Sequence, residues 1–126
     1  MRVSLPPVFV AARGSIQNIV ELGEGDTPIR GVAIIRTRAG EVRSNHWHQK
    51  DFHFLHVLSG KVRYEWRPAD SVVMTTVSEE YEAGESFFTG ARVWHRVTSL
   101  TDSIMVSASR LSRKHEEHEA DLVRDA

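Results

Sequence analysis

The chain has 126 residues, 40% of them hydrophobic and 26% charged, enough for one packed core and too few for two full-sized domains. Sixteen Lys and Arg against seventeen Asp and Glu leave a formal charge of -1, which excludes a strongly basic surface for a nucleic-acid backbone. Cysteine is absent, so disulfides and thiolate ligands are excluded, and any metal site must draw on His, Asp or Glu.

The apolar opening from Leu5 to Ala12 holds Pro6 and Pro7 and stops at Arg13, well short of the roughly 18 apolar residues of a membrane-spanning helix. It predicts a first strand, Val8–Ala11, and a soluble, cytoplasmic chain. Further strands are expected at Gly31–Arg38, Glu41–His48, His53–Leu58, Lys61–Arg67, Ser71–Val77, Ser86–Phe88, Val93–Thr98 and Ser103–Ala108. They are short, β-rich and separated by Gly, Asp, Asn and Ser. Ser59-Gly60 marks a tight turn. Within Lys61–Arg67, Val62, Tyr64 and Trp66 share one face, and Lys61, Arg63, Glu65 and Arg67 share the other. From Leu111 to Val123 the pattern changes: Leu111, His115, His118 and Leu122 recur at helical spacing, which predicts a short C-terminal helix or ordered tail. His115 and His118 have no third ligand nearby and read as solvated. So many short strands predict an all-β chain folded as a small antiparallel barrel or jelly roll, one domain spanning residues 1–126.

The histidines are the chemical signal. His46 and His48 are two residues apart on one strand and therefore share a face. His53 is in phase with Leu55 and Val57, and His95 with Val93 and Val97, so both point toward an apolar interior where a closed barrel could bring them opposite the first pair. The predicted site is His46, His48, His53 and His95 around one divalent transition metal: Zn, Fe, Ni, Mn or Cu. His56 is out of phase with His53 and is left outside it. Trp47 and Trp94 are out of phase with the adjacent ligands and are expected to pack behind them.

These residues carry a resemblance. Gly40, His46, His48, His53 and Gly60 follow the spacing of the first cupin motif, with His53 where glutamate is usual. Gly84, Gly90, Arg92, His95 and Ser99 resemble the second, whose usual residues are Gly, Pro, Gly, His and Asn. The motifs lie at 40–60 and 84–99, and the resemblance implies a single-domain cupin, a double-stranded β-helix or jelly-roll barrel. The stretch Val42-Arg43-Ser44-Asn45-His46-Trp47-His48 is similar to cupins of nucleotide-sugar and polysaccharide pathways, which implies carbohydrate substrates. Pairing of cupin barrels implies a homodimer, with Phe54, His56 and Leu58 as interface residues.

The expected chemistry is isomerase, epimerase or lyase action on a small carbonyl or carbohydrate-type substrate, with a metal polarising an oxygen while a nearby group moves a proton. Arg36, Arg43 and Arg92 are candidate substrate-orienting cations, and Tyr64 is either a proton donor or a packed ring. Three alternatives remain open: a non-haem iron dioxygenase, a metal-free sugar ketoisomerase with His48 as base, and a non-catalytic binding or sensor domain.

Overall fold

The computed structural model describes residues 1–23, 25, 28–71, 75–111 and 119–124. The described strands, in chain order, are β1 (Arg2–Val3), β2 (Phe9–Ala11), β3 (Gly14–Ile16), β4 (Gly31–Thr37), β5 (Val42–His48), β6 (His53–Ser59), β7 (Lys61–Pro68), β8 (Val77–Glu82), β9 (Ser86–Thr89), β10 (Val93–Ser99), β11 (Ser103–Ser109) and β12 (Leu122–Arg124). They form two five-stranded sheets, ordered β1-β9-β6-β11-β4 and β12-β5-β10-β7-β8, together with the β2-β3 hairpin. Every pairing is antiparallel.

Period-two alternation builds the core. Leu55, Val57, Phe87 and Met105 from the first sheet meet Val62, Tyr64, Tyr81 and Val97 from the second. Tyr81 stacks on Phe87 with ring centroids 4.6 Å apart, and Tyr64 lies 4.9 Å from the same ring. Burying these inner faces is the main driving force for closing the two layers. The connection from β6 to β7 crosses between the sheets at Ser59-Gly60, beside the link from β10 to β11. Gly60 has φ +85, and a Cβ there would stand 2.2 Å from the Asp102 carbonyl oxygen. Only glycine allows the two crossings to lie this close.

The predicted strand at Ser71–Val77 falls largely on residues 72–74, which lie outside the described residues; a strand not expected from the sequence runs over Val77–Glu82. Its inward positions include Glu79, which accepts hydrogen bonds from Trp66 Nε1 at 3.0 Å and Tyr81 Oη at 2.7 Å. A partnered inward carboxylate hides an edge strand from a hydrophobic pattern. A short C-terminal helix is present, as expected. Residues 112–118, with His115 and His118, lie outside the described residues; among the described residues the helix covers 119–121, and Leu122–Arg124 pairs as a strand with β5. The available β5 edge overrides the local helical spacing. Among the described residues no helix is long and apolar enough to cross a membrane.

Of the residues named for an interface, Leu58 is half exposed, Phe54 packs on Phe52 and Phe88, and His56 is buried with Nδ1 2.6 Å from Ser86 Oγ. His56 thus faces away from the histidine cluster, with Nδ1 satisfied within the chain.

Gly60→Ala is expected to destabilise the fold by about 2–3 kcal/mol, because the new methyl meets backbone while the positive φ is also strained. Gly84→Ala has a similar φ of +92 but open space around the new atom, and should cost only about 1 kcal/mol. Urea denaturation of both variants checks the difference, and equal losses would remove the close approach as the cause.

Candidate functional site

One end of the space between the sheets is left open as a cavity of about 340 Å³, bordered by Arg43, Ser44, His46, His48, His53, Thr89, His95, Leu122 and Arg124 among others. The strands that feed the apolar core feed this end as well: β6 carries His53 on the face of Leu55 and Val57, and β10 carries His95 on the face of Val97. His46 and His95 are direct cross-strand partners. A bulge on β5, with Ser44 at φ 73 and Asn45 at φ 64, shifts the register beside that pair. It breaks the alternation, so that Val42, Arg43 and Ser44 all border the cavity in succession.

His46, His48 and His95 come together, their ring centroids 4.8–5.5 Å apart, with one ligand atom from each within 4.8 Å of the others. His48 Nδ1 lies 3.1 Å from Asp121 Oδ2, both groups buried. A carboxylate oxygen there accepts the Nδ1 proton, which leaves the lone pair of a neutral His48 ring on Nε2. His95 Nδ1 is 3.0 Å from the Val93 carbonyl oxygen, and a carbonyl only accepts, so the His95 lone pair likewise lies on Nε2. Burial pushes the pKa of His95 down to about 4, which keeps the ring neutral at ordinary pH. Neutral imidazoles with their tautomers set by a second partner are the donors a divalent transition metal takes. His48 and His95 therefore suit a metal, and His46 brings a third ring nitrogen within reach.

His53 lies beside that trio, its ring centroid 4.9 Å from that of His48. Its ligand atom groups with His48 and Asp51 instead. His53 Nδ1 is 3.1 Å from Ser107 Oγ, while Nε2 is 3.0 Å from Asp51 Oδ2 but without the alignment of a hydrogen bond. Burial would raise the Asp51 carboxyl; contact with His53, the Leu111 backbone N–H and the charge of His48 outweigh it and hold Asp51 below its usual range. All four predicted histidines thus border one cavity, with Asp51 against His53.

The other named residues divide clearly. Arg43 borders the cavity, with Nε donating to Thr37 Oγ1 at 2.6 Å and Nη2 to the Arg36 carbonyl at 2.9 Å. Arg36 is on the solvent side of β4 and Arg92 lies over the Trp47 ring at 5.2 Å, so neither borders the cavity. Tyr64 is buried within the core, and burial raises its pKa above the ordinary phenol value, with the Glu79 charge acting the same way. It is a packed ring in the floor, at 6.4 Å from His95. Trp94 is buried between Arg67 and Arg96. Sequence reading missed Asp51, Asp121, Leu122 and Arg124. Asp51 was visible only as a turn residue, Asp121 and Leu122 lay in a stretch of helical spacing, and Arg124 lay just beyond it.

Residues 33–108, more than half of the chain, match the family model of the cupin domain. No curated protein sequence matches the chain. Among solved structures, the chain is similar to CapF bound to the inhibitor 3-isopropenyl-tropolone, at 21% identity and a TM-score of 0.66, covering 96% of this chain and 34% of that one. The chain thus spans about a third of CapF. It is similar to QdtA, a sugar 3,4-ketoisomerase from Thermoanaerobacterium thermosaccharolyticum in complex with TDP, at 20% identity and a TM-score of 0.71, covering 94% and 83% of the two chains. It is also similar to ChmJ, a 3'-monoepimerase from Streptomyces bikiniensis in complex with dTDP-quinovose, at 16% identity and a TM-score of 0.72, covering 85% and 62%. At these identities the likeness is one of fold.

The buried His95 makes stability depend on pH. Its pKa falls from 6.5 to about 4 on folding, so between those values the unfolded chain binds more protons and stability drops as pH is lowered. The loss should reach about 3 kcal/mol in metal-free protein. His56, lowered by burial too, acts in the same direction. His95→Gln should remove its own share, seen as a flatter dependence of urea midpoints from pH 7 to pH 4; identical slopes would sink the assignment.

Proposed function

The chain belongs to the cupin domain family, and from that premise we propose that it is a single cupin unit over residues 1–126 that isomerises or epimerises a keto-sugar. The observation that carries this reading is the buried His48–Asp121 pair on the wall of a cavity rimmed by arginines. Similarity of fold to sugar ketoisomerases and epimerases supports it.

In the proposed reaction, His48 Nε2 removes the proton from the carbon beside the sugar carbonyl. The electron pair left behind moves into the carbonyl, whose oxygen becomes an enediolate oxygen and takes up a proton. Return of a proton to the original carbonyl carbon, with loss of one from the neighbouring hydroxyl, moves the carbonyl along the ring. Return to the first carbon from the opposite face, with loss of the proton on the enediol oxygen and re-formation of the carbonyl, inverts that centre. Asp121 stabilises the imidazolium that His48 forms and fixes its tautomer. Thr89 borders the cavity, with its buried hydroxyl beside that of Tyr64. Arg43 is preorganised to orient an anionic part of the substrate.

A second reading is favoured by the close grouping of His46, His48 and His95, which would hold one divalent transition metal. When bound, such an ion supplies Lewis-acid polarisation of a substrate oxygen. A homodimer belongs to the proposal as well; exposed Val32, Ile34 and Leu58 on the outer face of the first sheet support it.

The test is incubation with TDP-4-keto-6-deoxyglucose in D2O, with mass spectrometry following deuterium entering carbon. Wild type should exchange, and His48→Asn should lose about 10²–10⁴-fold of the rate. Asp121→Asn should lose about 10–100-fold. No exchange by the wild type would overturn the reading. Elemental analysis of protein purified without added metal, compared with His48→Ala, separates the two forms of the site: about one metal per chain, absent from the variant, supports the histidine centre.

A further inference from the structure

The first sheet has an outer face that takes no part in the histidine cavity, and the register of its strands lays that face out as a grid. His56 stands opposite Val106 and Ser86, Phe54 opposite Ala108 and Phe88, and Ala108 in turn opposite Val32. Ala108, a single methyl between the larger Phe54 and Val32, leaves a hollow in the sheet surface. Residues 17–20, which follow β3, border the same hollow, and the result is a second cavity of about 340 Å³.

Two features separate this cavity from a bare apolar patch. None of the residues bordering it is charged, and Ile19, Val20, Val32, Phe54 and Val106 make most of its wall apolar. His56 borders it as well, only 8% exposed. Its Nδ1 is taken up by Ser86 Oγ at 2.6 Å, whereas Nε2 has no hydrogen-bond partner among the described residues. Burial lowers the pKa of His56, so the ring offered to the cavity is neutral at ordinary pH. The Ser86 hydroxyl either donates to Nδ1 or accepts from it, which makes Nε2 a donor in the first case and an acceptor in the second. An unpaired nitrogen in an apolar wall is costly, so an occupant that brings a polar atom to Nε2 gains over one that is wholly apolar.

We infer that this cavity is a second small-molecule site, one that takes a neutral phenol with its ring against Phe54, Val106 and Ala108 and its hydroxyl on His56 Nε2. A hydroxyl both donates and accepts, and therefore satisfies either tautomer of His56. A carboxylate or an ammonium group would lose its water here without meeting an opposite charge. Phe54 already packs against Phe52 and Phe88, with ring centroids 5.8 and 4.9 Å away, and an aromatic ligand extends that cluster. The site lies on the back of β6 and β11, whose inner face turns His53, Leu55 and Met105 to the histidine cavity. It stands independently of the keto-sugar reading.

Titration of the isotope-labelled full chain with p-cresol, toluene and benzoate, followed by amide chemical shifts, tests this without turnover. p-Cresol should bind about tenfold more tightly than toluene or benzoate, with the largest shifts at Phe54, His56, Val106 and Ala108. His56→Phe should bring p-cresol down to the level of toluene. Val32→Trp, at a position 71% exposed, should fill the mouth and abolish binding with an unchanged melting temperature, so the outcome does not hang on how well the His56 variant folds. Toluene binding as tight as p-cresol, p-cresol affinity that is the same in Val32→Trp, or shifts confined to the histidine cavity overturns the inference. So does an absence of binding up to about 10 mM p-cresol, whether the cavity stays empty or dilution of the ligand-free chain shows that a second copy covers it.

Discussion

Both the core and the site depend on one constraint: the inner face of each antiparallel sheet is continuous from one end of the sandwich to the other. A strand that points Leu55 and Val57 into the core necessarily points His53 the same way, and one that buries Val97 also turns His95 inward. The apolar end closes because its burial is favourable. The histidine end stays open because imidazoles taken from water need partners, and a cavity with polar walls meets that need.

The partners show how the histidines are kept usable. Asp121 behind His48, Asp51 and Ser107 beside His53, and the Val93 carbonyl behind His95 each take up a ring nitrogen or lie against it. Carboxylates thereby stand behind the rings, while the cavity itself is faced by imidazoles and arginines. That separation suits a site that takes a proton from carbon next to a carbonyl while drawing in an anionic substrate. The C-terminal segment contributes to both sides of the arrangement, since Asp121 lies behind the wall and Arg124 at its rim.

Much of the arrangement was legible residue by residue. Alternation along Lys61–Arg67 put Val62 and Tyr64 inside, and the two-residue spacing of His46 and His48 put both on one face. Less legible were places where a polar residue turns inward against its own pattern, as Glu79 does on β8, or where a strand forms only because a partner edge is waiting, as at Leu122–Arg124. Arg43 was named as a substrate cation without any account of the bulge at Ser44 and Asn45 that brings it to the cavity. Arg36 and Arg92 looked equally suitable by charge, and their positions in the fold separate them from it.

By itself the sequence determined the all-β class, most strand phases and the histidines able to converge, because side-chain period and burial are local properties of an extended chain. Tertiary structure alone decided that His46, His48, His53 and His95 come to one cavity and that Asp51 stands against His53. It also decided that Asp121 and Arg124 join a site more than seventy residues earlier in the chain. Those outcomes follow from sheet register and from which strand edge is left unpaired, and neither quantity is written in the spacing of any one segment.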